Sequence, residues 1–248
     1  MPPLSENKGL LNMQNFFASQ EYFTCDTVRL TGEEYHHATR ACRVRIGEMI
    51  GVTDGRGRRV EARIVSITGS HLEAQVIRDI SGLGEPSCEI ILALSLIKPA
   101  RFETAVEKCT ELGVRRIIPL NAQRCEYSES RLNQDRLSRI ALEAAKQSGR
   151  SWLPEIAPAA EIRTLSVQGE GIFVASQNAL ESIEDILNRV TAEKLILAVG
   201  PEGDFTPEEY TCFSDRGASF FSLGELTLRS ETAAISAVAR CASLKKAI

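Results

Sequence analysis

Two stretches of the chain hold residue types whose spacing suits ligand chemistry. Residues 194–210, KLILAVGPEGDFTPEEY, set a Gly-Pro-Glu-Gly turn between an apolar run and a helix start. Gly200 and Gly203 allow backbone to approach a ligand closely, and Pro201 stiffens the turn. Thr206 reads as the helix N-cap, with Pro207 in the first helical position. The second stretch, residues 220–239 (FFSLGELTLRSETAAISAVA), ends a strand at Leu223-Gly224 and opens a helix for which Ser230 or Thr232 is the expected cap. Glu231 complements the positive end of that helix, whereas a cation at Arg229 opposes it. The Arg229 guanidinium is therefore expected to face a ligand or a carboxylate.

The surrounding pattern says which elements hold these stretches. Val28 begins VRLT, and a short helix GEEYHHATRAC follows with Thr31 as its N-cap. Three apolar-rich segments, MIGVTD, RRVEARIVSI and HLEAQVIRDI, are separated by DGRG and TGS turns, which predicts a small antiparallel barrel. SGLGEPS at 81–87 is a linker. Beyond it, CEIILALSLI is an apolar run of the kind buried on both sheet faces, RFETAVEKCTELG an amphipathic helix ended by Gly113, and RRIIPL a strand. A helix over about 130–149, strand IFVAS, a helix over about 180–190, strand KLILAVG, helix PEEYTCFSDRG, strand ASFFSL and a closing helix from about 229 complete the alternation. Strands alternating with helices predict an α/β domain with a mainly parallel sheet, whose ligands bind where strands end and loops begin. Both stretches stand at such ends.

Composition narrows the class. The chain has 248 residues, 43% hydrophobic and 25% charged, which is ordinary globular usage. No run reaches the roughly 18 apolar residues of a membrane span, and MPPLSENKGLLNMQNFF is not a signal peptide. Seven scattered cysteines, without a C-x-x-C pair, predict reduced thiols in a cytoplasmic protein and no metal site. The net charge is −4, but its distribution is uneven: Lys and Arg outnumber Asp and Glu nine to seven over 28–80 and eleven to seven over 98–150, against eight to fourteen over 151–248. A polyanion is expected to meet the basic part.

Five stretches in this order, HHATRACRVRIGE (36–48), VEKCTELGVRRIIPL (106–120), EAAKQSGR (143–150), GPEGDF (200–205) and LGELTLRSETAA (223–234), resemble the RsmE family. These are the 16S ribosomal RNA uridine-N3 methyltransferases of the SPOUT, or α/β-knot, superfamily. The resemblance covers nearly the whole chain from Met13. It departs at Asp204, where the family usually has a second glycine, and at Glu225-Leu226, where it has a Pro-Arg-type pair.

Residues 1–12 have no periodicity and read as a disordered extension or a misplaced start. The resemblance implies a PUA-like RNA-binding β-barrel over 13–84 and a knotted α/β methyltransferase domain over 85–248 that dimerises with a second copy. It implies S-adenosylmethionine held by three loops, through Ala175, Ser176, Val199, Gly200, Pro201, Glu202, Gly203, Leu223, Gly224, Leu228, Arg229 and Thr232. Leu223 and Leu228 would flank the adenine. Uracil N3 becomes nucleophilic only when its proton leaves, so a base or an anion stabiliser is needed. Arg229 is the expected stabiliser, and Glu202 or Glu231 the proton acceptor. The 16S RNA of the small ribosomal subunit would lie against Arg40, Arg43, Arg45, Arg56, Arg58, Arg59, Arg101, Arg124 and Arg150. Small residues on the last helix (Ala233, Ala234, Ser236, Ala237, Ala239) are expected to permit a close dimer contact. Two rival readings stay open: a knotted ribose 2′-O-methyltransferase, and a ribosome-assembly protein without activity.

Overall fold

A computed structural model describes residues 13–165 and 170–245; the extension expected over 1–12 lies outside them. The chain divides into two compact units, one running through Glu85 and regaining Ala145–Leu153, the other comprising Pro86–Ala144 and Pro154–Ala247.

The first unit is built on strands β1 (Gln14–Phe17), β2 (Thr27–Thr31), β3 (Met49–Thr53), β4 (Arg59–Ile67) and β5 (His71–Asp79), with the short helix α1 (Gly32–His36) between β2 and β3. Their sheet order is β1-β3-β4-β5-β2. The three expected strands are its centre and pair antiparallel, but β1 joins parallel to β3, so the sheet is mixed. Alternation sends Val28, Leu30, Ile50, Val52, Val60, Ile64 and Leu72 inward with Phe16, all essentially inaccessible. α1 runs into a wider helical turn over His37–Ala41, closed by Cys42 N–H donating to the His37 carbonyl and by Arg43 in a left-handed conformation (φ 55°).

Ala145–Leu153 belongs to this unit for identifiable reasons, although the sequence boundary at 84/85 assigned it to the second domain. Lys146 Nζ reaches Glu34 Oε1 at 2.8 Å, and Arg150 Nη2 reaches Glu85 Oε2 at 2.7 Å. Glu85 also accepts from the backbone N–H groups of Ser151 and Trp152. The expected hairpin turn is completed by this segment: Gly57 N–H donates to the Ser151 carbonyl at 2.9 Å, and Leu153 N–H to the Gly55 carbonyl at 2.9 Å. Gly57 has φ 110°, and a Cβ there would stand 2.5 Å from the Trp152 ring, so only glycine lets the indole pack on this turn.

The second unit holds strands β6 (Glu89–Ser95), β7 (Val114–Asn121), β8 (Glu155–Ile156), β9 (Ala160–Glu161), β10 (Glu170–Ala175), β11 (Lys194–Val199) and β12 (Ser219–Phe221). Helices α2 (Pro99–Glu111), α3 (Gln134–Ser148, its last turn in the first unit), α4 (Ile183–Leu187), α5 (Pro207–Asp215) and α6 (Ser230–Leu244) connect or follow them. The order is β12-β10-β11-β6-β7-β8, with β9 also on β7, and every pairing is parallel. Ile91, Ala93, Ile196 and Ala198 face Phe205 and Phe213 on one side. The alternate residues Ile90, Leu92 and Leu94 are equally buried and belong to the other face, where α2 and α6 pack. Ala234 and Ala237 of α6 are fully buried within the chain, so they do not offer the close dimer contact expected of them.

The Arg150–Glu85 pair is nearly inaccessible, at 5% and 9% side-chain exposure. Removing one partner strands the other charge in the interior. Arg150→Met is expected to lower the unfolding free energy by about 3 kcal/mol in urea denaturation; a loss under about 1 kcal/mol would show the pair to behave as a surface bridge.

Candidate active site

Because β10, β11 and β12 run parallel, their carboxyl ends open at one edge of the sheet. An open cleft with a cavity volume of about 110 Å³ lies there. Ala175, Ser176 and Gln177 line it after β10, and Val199, Gly200, Pro201, Glu202 and Asp204 after β11. Leu223, Gly224, Leu226, Thr227 and Leu228 follow β12, with Ser230 and Ala233 from the first turn of α6. Nine of the residues chosen from sequence thus converge: Ala175, Ser176, Val199, Gly200, Pro201, Glu202, Leu223, Gly224 and Leu228. Gly203, Arg229 and Thr232 do not line the cleft. Gly203 turns its carbonyl to Arg124 Nη1 at 2.7 Å, and Thr232 is exposed on α6. Arg229 itself occupies the N-cap position of α6, which corrects the cap expected at Ser230 or Thr232.

The turn after β11 is held by α5. Thr206 accepts from Glu209 N–H at 3.3 Å while Glu209 Oε2 accepts from Thr206 N–H at 2.8 Å, a reciprocal cap. The other Glu209 oxygen accepts from Gln123 N–H at 2.7 Å. Asp204 stands at φ 60°, a left-handed conformation that glycine adopts freely and Asp better than most residues. Its Oδ1 accepts from Tyr210 Oη at 2.8 Å and from Phe205 N–H at 2.8 Å. Burial pushes the Tyr210 hydroxyl above the usual phenol range; a Ser176 hydrogen bond opposes that shift and the Asp204 carboxylate adds to it.

Charge around the cleft is arranged by α2. Arg101 Nη1 meets Glu202 Oε1 at 2.9 Å, and its Nε lies 3.6 Å from Glu231 Oε1. Arg101 therefore joins the two carboxylates considered as proton acceptors, with a third of its side chain left exposed. Glu202 lies on the cleft wall, whereas Glu231 is 12% exposed and its Oε2 is buried without a partner. Arg229 is exposed, and among the described residues its side chain makes no hydrogen bond or ion pair. It does not pair with Glu231.

The remaining arginines divide by burial. Arg40, Arg43, Arg45 and Arg56 of the first unit are exposed. Arg58 is half-buried, lies 5.0 Å over the Phe23 ring and donates to the Thr24 carbonyl. Arg59 and Arg150 are buried: Arg59 donates to Asn15 Oδ1 at 3.0 Å, and Arg150 holds Glu85. Neither can meet a phosphate, because both guanidinium groups are already enclosed by protein partners. Gln177, Leu226, Thr227 and Ser230 also line the cleft, within the loops that the resemblance implied around 175–178 and 223–232, and so does Asp204, which departs from the family pattern in the turn after β11; Ala233, on the helix beyond those loops, was not foreseen. No group of side chains suited to a metal occurs among the described residues.

Comparison with known proteins agrees with this geometry. A family model described as an RNA methyltransferase domain matches residues 84–242, and one described as an RNA methyltransferase PUA domain matches 30–77. Fold and site define an RNA methyltransferase of the α/β-knot class with an N-terminal PUA-type unit. Ribosomal RNA small subunit methyltransferase E of Synechocystis is 30% identical over 224 residues, 88% of this chain and 73% of that protein. Its namesake in Mycobacterium bovis is 31% identical over 215 residues, 82% and 81% of the two chains. The crystal structure of ribosomal RNA small subunit methyltransferase E from Neisseria gonorrhoeae bound to S-adenosyl methionine has a TM-score of 0.82 at 27% identity, covering 94% of this chain and 98% of that one. The chain belongs to the ribosomal RNA small subunit methyltransferase E family.

The turn that forms the cleft depends on its cap. Thr206→Ala should cost about 1 kcal/mol of stability in urea denaturation, the usual loss for a capping hydroxyl, and Thr206→Ser should recover most of it. Equal losses in both variants would place the effect elsewhere than the cap.

Proposed function

We propose that this chain transfers the methyl group of S-adenosylmethionine to N3 of a specific uridine in the decoding region of 16S ribosomal RNA. The observation that carries the reading is the convergence of the three strand-end loops on one cleft, with Arg229 ending the third loop and no protein partner for that cation among the described residues. The cleft suits the cofactor chemically. Leucines 223, 226 and 228 offer apolar surface for an adenine, Ser176, Thr227 and Ser230 offer hydroxyls, and its charged lining residues, Glu202 and Asp204, are both carboxylates, suited to a cation. When bound, the sulfonium supplies an activated methyl group.

The chain's own residues are left with orientation and proton handling. In this reading Glu202, which lines the cleft, accepts the N3 proton; Arg101 fixes its orientation and is itself aligned by Glu231. As that proton leaves, negative charge spreads to the uracil O2 and O4. A planar guanidinium from Arg229 can follow that charge, and its position at a helix N-terminus, already positive, makes an anionic partner favourable. The exposed Arg40, Arg43, Arg45 and Arg56 of the PUA-type unit provide phosphate contacts. Action in the cytoplasm as a homodimer is part of this reading and rests on the family resemblance.

Two outcomes are expected. Arg229→Ala should lower the single-turnover rate by about 100-fold, the scale of losing an important electrostatic donor, with cofactor affinity little changed and Arg229→Lys recovering part. The rate is read as primer-extension stops on small-subunit RNA, since an N3 methyl blocks base pairing; wild-type rates in the Ala variant would remove Arg229 from the chemistry. Reversing Arg43 and Arg45 to Glu should weaken RNA binding and reduce the slope of log affinity against log salt by about one for each phosphate no longer neutralised. An unchanged slope would move the RNA surface elsewhere.

A further inference from the structure

The two carboxylates of the cleft differ in how they are compensated. Glu202 has the Arg101 guanidinium at 2.9 Å. Among the described residues Asp204 makes no ion pair, and Arg124 on this turn is turned to the Gly203 carbonyl instead: the Asp204 hydrogen bonds come from a phenol and a backbone N–H, both to Oδ1. Those two donors fix the carboxylate in orientation without neutralising it. Among the described residues Oδ2 makes no hydrogen bond, and Asp204 is half-buried on the lining of the cleft. The cleft wall therefore carries one oriented, uncompensated negative charge, and no lysine or arginine lines the cleft.

The backbone adds a second observation. Asp204 adopts φ 60°, where a Cβ is disfavoured, and the neighbouring Gly200 leaves its Oδ1 room: a Cβ on Gly200 would come within 3.3 Å of it. The turn thus holds a side chain at a position where none is needed for the chain to turn. Local strain of this kind, when it sits in a ligand cleft, points to a role for the strained residue.

The charge of the ligand supplies that role. S-adenosylmethionine bears a sulfonium, an ammonium and a carboxylate, a net positive charge. After methyl transfer the sulfur is a neutral thioether and the molecule has no net charge. A fixed uncompensated carboxylate attracts the first and is indifferent to the second. We propose that Asp204 is a specificity-determining residue that makes the cleft prefer the charged methyl donor to its spent product, so that the cofactor site empties after each transfer. The inference rests on the cofactor assignment made above and extends it to the order of exchange.

The test is calorimetric titration of the folded full chain with S-adenosylmethionine and, separately, with S-adenosylhomocysteine. Asp204→Asn keeps the side-chain shape and the acceptor for Tyr210 but removes the charge. It should weaken donor binding by about tenfold, a partly screened charge pair, and product binding by less than about twofold. Asp204→Gly suits the left-handed backbone and should show the same loss of preference, which keeps the test decisive if the Asn variant folds poorly. In the wild type, raising the salt concentration should reduce the preference for the donor; in the variants it should not. Equal weakening of both ligands, or an unchanged ratio in both variants, would assign Asp204 to structure alone and overturn the proposal while leaving the cofactor reading intact. Failure of the wild type to bind either ligand would overturn both.

Discussion

The parallel direction of β10, β11 and β12 is the constraint on which the candidate site depends. Each strand enters from the same side, so each exits at the same edge, and three separate loops are brought to one cleft. An antiparallel neighbour would send one of those loops to the opposite edge. The strands can run this way because both sheet faces are covered, by α5 on one side and by α2 and α6 on the other. Phe205 and Phe213 pack edge to face at 5.1 Å under the turn that begins at Gly200, so core packing and loop position are set together.

On this frame the charges take unequal roles. Arg101 leaves α2 to meet Glu202 and Glu231, fixing one carboxylate on the cleft wall and another behind it. Asp204 is held by neutral donors, and Arg229 stands exposed at the start of α6. A compensated carboxylate, an uncompensated one and an unpaired cation are three different tools within a few loops. In the proposed reaction the first handles the proton, the second attracts the cationic methyl donor, and the third meets the developing anion.

Much of this was legible in the sequence because local signals and global fold agree. The GPEGDF turn, the Thr206-Pro207 helix start and the apolar strands all appear where the pattern placed them. What was not legible depends on pairing across long separations. β1 is only four residues and joins parallel to β3, so neither length nor alternation marks it. The helix expected over about 180–190 is confined to Ile183–Leu187, because the Ser182–Asp185 cap sets its start and Leu180 is left exposed. Arg59 and Arg150 resemble surface arginines in sequence, yet both are enclosed; nothing local foretells that Glu85 will meet Arg150 across 65 positions. Asp204 was visible as a departure from the family's glycine, but its orientation by Tyr210 required the structure.

The central claim is the position of the transferred methyl group, and one measurement reads it directly. Small ribosomal subunits lacking the modification are incubated with the purified chain and S-adenosylmethionine carrying an isotopically labelled methyl group, and the RNA is digested to nucleosides for mass spectrometry. The label is expected in 3-methyluridine alone. Label on a ribose 2′-oxygen, or none on RNA while the chain still binds S-adenosylmethionine, would contradict the account.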